Sequence, residues 1–192
     1  AGALLAINLD QFVAGDRKFD MPFEPTDRKS LASYAPTRHH VLINELDNVR
    51  NRLYVLTRDG NKWTREEVKG APEFSTVNAS PIDPDDSDDY FMTVTGYLTP
   101  TSLYYGTLGN GPAEKIKESP AFFDASGLIV QQFEATSADG TKIPYFQVSR
   151  HRIATNGENP TLLYGYGGFE IPMVPGYQAT TGAAWLESGG IY

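Results

Sequence analysis

The sequence predicts a mainly β chain in two parts: two similar sets of short strands, then a hairpin and a strand running into a glycine-rich turn. Three observations carry this. The 18 glycines and 13 prolines are spread through all 192 residues, and the segments between them are rich in Val, Ile, Tyr and Thr, the punctuation of strands. A shift of 50 positions lays Val41-Leu42-Ile43 on Phe91-Met92-Thr93, Leu53-Tyr54 on Leu103-Tyr104 and Thr57 on Thr107. After Ser119-Pro120 the pattern changes and does not repeat.

Taken in order, Ala3–Leu9 reads as an opening strand. In the first copy an inner strand is expected at Ser30–Ala35, the next around Val41-Leu42-Ile43, a third around Leu53-Tyr54, a turn at Asp59-Gly60 and an edge strand at Trp63–Val68. The second copy repeats this with Ser75–Pro81, Phe91-Met92-Thr93, Leu103-Tyr104, a turn at Gly109-Asn110 and an edge strand at Glu114–Lys117. Four short antiparallel strands recurring at this spacing are the signature of a propeller blade. Two hairpins of a β-sandwich that happen to look alike remain the alternative. Two blades cannot close a ring, so the blade reading expects further blades upstream. The first residue is Ala1 rather than Met, and Gly189-Gly190-Ile191-Tyr192 opens a new apolar segment. Both ends read as those of a piece of a longer polypeptide.

In the second part, Ile129–Thr136 and Lys142–Val148 flank Ser137-Ala138-Asp139-Gly140-Thr141, a hairpin closed by Asp-Gly. A polar stretch follows to Pro160. Thr161–Tyr164 then reads as a short strand continuous with Gly165-Tyr166-Gly167-Gly168-Phe169. Ala179, Ala183, Ala184 and Leu186 fit a small-residue helix within 176–187. A domain boundary is expected between about Ser119 and Ile129, giving domains 1–122 and 123–192.

Bulk properties narrow the function. A formal net charge of −8 and the lack of clustered Lys and Arg speak against a nucleic-acid partner. No apolar run approaches a membrane span, so no membrane partner is expected. With no cysteine, disulfides and thiolate metal sites are excluded. That fits a cytoplasmic location, with the periplasm left open. The acidic run Asp83–Asp89 lacks the glycine and closing glutamate of a calcium loop and reads as a solvated turn.

Chemistry is carried by Gly165-Tyr166-Gly167-Gly168-Phe169. In α/β-hydrolases a strand ends in a glycine-rich loop that supplies part of the oxyanion hole, and glycines let backbone approach a substrate carbonyl. A tyrosine hydroxyl there can donate to a tetrahedral oxyanion. Taken alone, the run reads better as a turn with packing tyrosines. The order Ala138-Asp139-Gly140-Thr141-Lys142-Ile143-Pro144, then Leu162-Leu163-Tyr164-Gly165-Tyr166-Gly167-Gly168-Phe169, then Gly189-Gly190 resembles the prolyl oligopeptidase family. Leu98-Thr99-Pro100-Thr101-Ser102-Leu103-Tyr104 is similar to that family's final blade. The resemblance is strong from about Tyr90 onward and loose before it.

It implies terminal propeller blades followed by the first strands of an α/β-hydrolase domain. It implies that Tyr166 completes the oxyanion hole, that Phe169 lines a proline-accepting pocket, and that Gly167 and Gly168 position both. It implies a short peptide as substrate, the remainder of the same polypeptide as partner, and no cofactor or metal. The propeller would restrict entry to short peptides. Proline specificity is the leading expectation, with oligopeptidase B, dipeptidyl and acylaminoacyl peptidases left open.

No G-x-S-x-G nucleophile elbow occurs in the chain. The family's Ser, Asp and His follow the oxyanion loop in that order, so all three are expected beyond Tyr192 and the chain by itself is expected to be inactive. His39, His40 and His151 all precede the loop. The competing reading is a non-catalytic propeller module, or a degenerate hydrolase without its nucleophile.

Overall fold

A computed structural model describes residues 2–192 except 61, 155 and 170. Its strands are β1 (Leu4–Ala6), β2 (Asp20–Phe23), β3 (Lys29–Pro36), β4 (His40–Asp47), β5 (Arg50–Asp59), β6 (Lys62–Glu67), β7 (Ser75–Pro81), β8 (Asp89–Gly96), β9 (Ser102–Thr107), β10 (Glu114–Glu118), β11 (Leu128–Thr136) and β12 (Lys142–Arg150). They form two four-stranded sheets in chain order, β3-β4-β5-β6 and β7-β8-β9-β10, and two pairs, β1-β2 and β11-β12.

The repeat read from sequence is therefore present as two four-stranded meanders. Its register carries burial as well as strand position. Leu42 and Met92 are both buried, as are Asn44 and Val94, and Leu56 and Gly106. Alternate residues facing one side of a pleated strand explain this parity. Where the first sheet has Leu56, the second has Gly106, and a Cβ there would lie 3.0 Å from the ring of the buried Tyr90. Glycine leaves room for the larger neighbour.

In the first sheet β4 and β5 pair from His40↔Thr57 to Asp47↔Arg50. The two-residue turn between them puts Asn48 and Val49 at φ 50° and 60°, the left-handed pair a type I′ hairpin needs. Glu45 of β4 is 1% exposed. Its carboxylate meets the Arg65 guanidinium of β6 at 2.6 Å, and that guanidinium lies 3.6 Å from the Tyr54 ring centre.

Two compact units emerge. One comprises Ala1–Gly70, Asn78–Met92 and Tyr105–Glu114; the other comprises Ala71–Val77, Thr93–Tyr104 and Lys115–Tyr192. The first unit has a core of Phe23, Ile43 and Leu56, packed by Leu4, Leu31, Val41, Tyr54 and Trp63. In the second, Tyr97, Phe123, Val148 and Leu186 are buried among Leu98, Leu128, Val130, Phe146, Tyr177 and Trp185.

The β11–β12 hairpin runs in unbroken register from Leu128↔Arg150 to Thr136↔Lys142. Its turn is closed by the Gly140 N–H to Ser137 O and the Ser137 N–H to Thr141 O, both 2.9 Å. Gly140 sits at φ 89°, where a side chain would be strained. The helix expected in 176–187 starts at α2 (Ala179–Thr181) and continues through Gly182–Leu186 with wider π turns, Glu187 N–H reaching Gly182 O at 3.0 Å. Gly182 is required for close approach, since a Cβ would fall 2.1 Å from the Phe123 ring.

Two local expectations differ from the structure. The opening strand ends at Ala6, because the Asn8 side chain caps a short helix, α1 (Leu9–Val13), accepting from the Asp10 and Gln11 N–H groups at 2.9 and 3.2 Å. The strand expected at Thr161–Tyr164 is reduced to one parallel bridge, Thr161↔Ile191. A strand exists through its hydrogen-bonded neighbours, and among the described residues Ile191 is the neighbour it has.

Candidate functional site

The glycine-rich turn is suspended between two anchored ends. Upstream, the Ile191 N–H donates to Pro160 O and the Leu162 N–H to Ile191 O, each at 2.8 Å. Downstream, the Thr76 hydroxyl of β7 donates to the carbonyl of the buried Pro175 at 2.6 Å. The Gln178 N–H reaches Tyr97 O at 3.4 Å, and the Phe122 N–H donates to the Tyr177 hydroxyl at 2.8 Å. Tyr177 also stacks on Phe123, with ring centres 5.4 Å apart and planes 15° from parallel.

Between these anchors the apolar side chains face outward. Leu163 is 90% exposed, Phe169 91% and Tyr166 47%. Exposure of this kind in large apolar residues marks a surface made to meet something else. The turn closes with the Ile171 N–H on Gly168 O at 3.2 Å.

All four residues singled out from the sequence come together here. Tyr166 folds back over Gly168, so that a Cβ on Gly168 would lie 3.0 Å from the phenol oxygen and 3.1 Å from the ring carbon bearing it. Any residue but glycine would crowd the hydroxyl. Gly165 and Gly167 have open space where a side chain would start. Phe169 sits at φ 57°, a left-handed conformation that costs an L-residue with a bulky side chain roughly 1 kcal/mol or more. A strained and almost fully exposed phenylalanine is not explained by packing. Chemically, the turn offers a phenol O–H donor beside accessible backbone and an aromatic face turned to solvent.

The histidines lie elsewhere. His39 precedes β4 and its Nδ1 is 2.7 Å from Asp88 Oδ2; the same carboxylate accepts from the Thr37 hydroxyl at 2.7 Å and the His39 N–H at 2.8 Å. Partial burial raises the Asp88 pKa, but the bonds from His39 and Thr37 outweigh it and hold the group at about 2. The acidic run is thus solvent-facing at Asp83, Asp85 and Asp86, while Asp88 is a structural acceptor. His40 bonds Thr57 through Nδ1 at 2.7 Å. Among the described residues no three His, Asp or Glu side chains converge as metal ligands. A cleft of about 340 Å³ is lined by Asp124, Ser126, Leu128, Arg150, Leu186 and Glu187, none of them in the turn.

The anchors Thr76, Pro175 and Tyr177 were not foreseen. The only signal was the interruption of the apolar pattern by Pro172 and Pro175 after the turn, which does not reveal a partner about a hundred residues away.

Comparison with known proteins agrees along the whole chain. An uncharacterized peptidase of Sinorhizobium fredii is 39% identical over 193 residues, covering 100% of this chain and 26% of the relative. A prolyl endopeptidase of Elizabethkingia miricola is 35% identical over 104 residues, 54% of this chain and 15% of its own length. The structure of a post-proline cleaving enzyme from Rickettsia typhi superposes with a TM-score of 0.81 at 26% identity, covering 100% of this chain and 28% of that one. The chain therefore spans about a quarter of the length of the curated relatives it matches. No protein-family model matches.

Proposed function

The chain belongs with the prolyl oligopeptidase family of peptidases, and from that premise we propose that it is the segment of a serine peptidase that carries the oxyanion-hole turn and the neighbouring propeller blades. The observation that supports this most is the turn itself, where the Tyr166 phenol lies over Gly168 and the strained Phe169 stands exposed beside it.

In this reading the Tyr166 O–H donates to the oxygen of the attacked amide as negative charge develops. Removing one such donor raises the barrier by about 3 kcal/mol. Phe169 supplies a flat apolar wall for the proline ring before the cleaved bond, and Gly167 and Gly168 leave the approach free of Cβ atoms. The two four-stranded sheets act as blades of a propeller within residues 1–122, restricting access to short peptides, and residues 123–192 open the hydrolase domain. The exposed Leu162-Leu163-Tyr164 pairs with strands of the remaining polypeptide. The nucleophile, its Asp and its His are supplied by that remainder, so the isolated segment is inactive.

The test is made on the complete polypeptide with a short chromogenic peptide bearing proline before the leaving group. Tyr166→Phe lowers kcat by about a hundredfold with little change in KM, because the hydroxyl acts in the transition state. An unchanged kcat overturns the assignment. A binding module without a nucleophile predicts no turnover by the unmutated protein at all.

A further inference from the structure

Phe169 and Pro175 are six positions apart, and Ile171, Pro172 and Met173 between them are exposed. Met173 is 40% exposed and Ile171 54%. Such an exposed stretch depends strongly on the bonds at its ends to hold its shape. Upstream of the whole turn, backbone bonds tie Pro160 and Leu162 to Ile191, and the Ile171 N–H bonds Gly168 O within it. The downstream end rests on the Thr76 hydroxyl, whose 2.6 Å bond to the Pro175 carbonyl spans 99 positions of sequence.

Thr76 lies between the buried Ser75 and Val77 in β7, so its backbone is held by the sheet and its Oγ1 has a defined direction. Pro175 is fully buried, so its carbonyl has little access to water. A buried carbonyl without a donor is costly, and the segment would have to move to find another.

We infer that Thr76 is a positioning residue for the Tyr166 turn, fixing the downstream end of the loop from a strand of the second four-stranded sheet. The inference rests on the reading of Tyr166 as the oxyanion donor. It assigns the sheet a part in catalysis beyond restricting access: β7 holds the loop so that the phenol oxygen stays over Gly168. Displacement of a donor by about 1 Å from a change remote from the chemistry can cost up to a hundredfold.

The experiment uses the complete polypeptide and the same proline-containing chromogenic peptide, measuring kcat and KM separately for Thr76→Val, Thr76→Ala, Thr76→Ser, Tyr166→Phe and the double variant Thr76→Val/Tyr166→Phe. Loss of the hydroxyl is expected to lower kcat by about tenfold or more with KM nearly constant, in Thr76→Ala as in Thr76→Val, so a folding defect confined to one of them does not decide the matter. Thr76→Ser, which keeps the donor, recovers most of the rate. In the Tyr166→Phe background the Thr76→Val loss disappears, because the group it positions is gone. An unchanged kcat in both donor-less variants overturns the inference. So does a Thr76→Val loss of equal size with and without the tyrosine hydroxyl, which marks a merely structural bond. If Tyr166→Phe alone leaves kcat unchanged, the oxyanion reading fails first and carries this one with it.

Discussion

Replacing Asp88 by Asn removes one charge from the cluster formed by Thr37, His39 and the run 83–89. The asparagine oxygen still accepts from the Thr37 hydroxyl and the His39 N–H, so the loss falls on the 2.7 Å contact between Oδ2 and the imidazole. The side chain is 15% exposed, and its pKa is lowered from 3.8 to about 2. That gap corresponds to about 2 kcal/mol. His39 is 64% exposed, so solvent screening reduces the realised value to about 1 kcal/mol. A carboxylate with a depressed folded-state pKa contributes stability that is whole above the unfolded value near 4 and is lost as pH falls towards 2. Urea denaturation of the chain at pH 7, 5 and 3 should show Asp88→Asn destabilised by about 1 kcal/mol at the two higher values and by about half that at pH 3. A loss that does not shrink at pH 3 would mean that shape rather than charge is at stake. No loss at pH 7 would remove the cluster from any account of stability.

Val49 occupies a left-handed position at φ 60° that a β-branched residue enters at a cost, so Val49→Gly, which makes the favoured Asn-Gly turn, should stabilise the chain by about 1 kcal/mol. An unchanged or lower denaturation midpoint would show that the turn is not strained. Arg65→Met leaves the Glu45 carboxylate, 1% exposed, without its partner and should cost about 3 kcal/mol. Replacing both residues by Met and Leu should cost clearly less in the same denaturation assay, and equal losses would deny that an unpaired buried charge is responsible.

The strands of the two sheets were legible because each is bounded by a glycine or polar turn, and β7 and β8 also alternate in burial. β7 runs from Ser75 to Pro81 as expected, and β10 from Glu114 to Glu118 differs by one residue. Copies of one supersecondary unit expose their period whatever packs around them. Elements made by a single side chain were not legible. α1 owes its position to Asn8, and five residues are too few to display a helical period. β2 contains Pro22 within Asp20–Phe23, a residue that argues against a strand until β1 is seen to lie beside it.

The site divides along the same line. The turn at Tyr166, Gly167, Gly168 and Phe169 was legible because glycines signal locally where backbone lies open or close-packed. The structure places a turn there with the phenol over Gly168; the roles of its side chains are part of the proposal. The strand before them was misread for a related reason. Leu162-Leu163-Tyr164 has the composition of a buried strand, yet these side chains are 43%, 90% and 61% exposed. Composition reports what a segment is suited to pair with, and pairing itself needs a neighbour that composition does not supply. The anchors of the turn were illegible for the converse reason. Thr76 reads as an ordinary strand threonine and Pro175 as an ordinary breaker, and their meaning lies in a bond across 99 positions. An exposed loop must take its rigidity from elsewhere in the fold. In this chain that rigidity enters at Ile191 on one side and Thr76 on the other, which is why changes far from Tyr166 in sequence are expected to be felt at its hydroxyl.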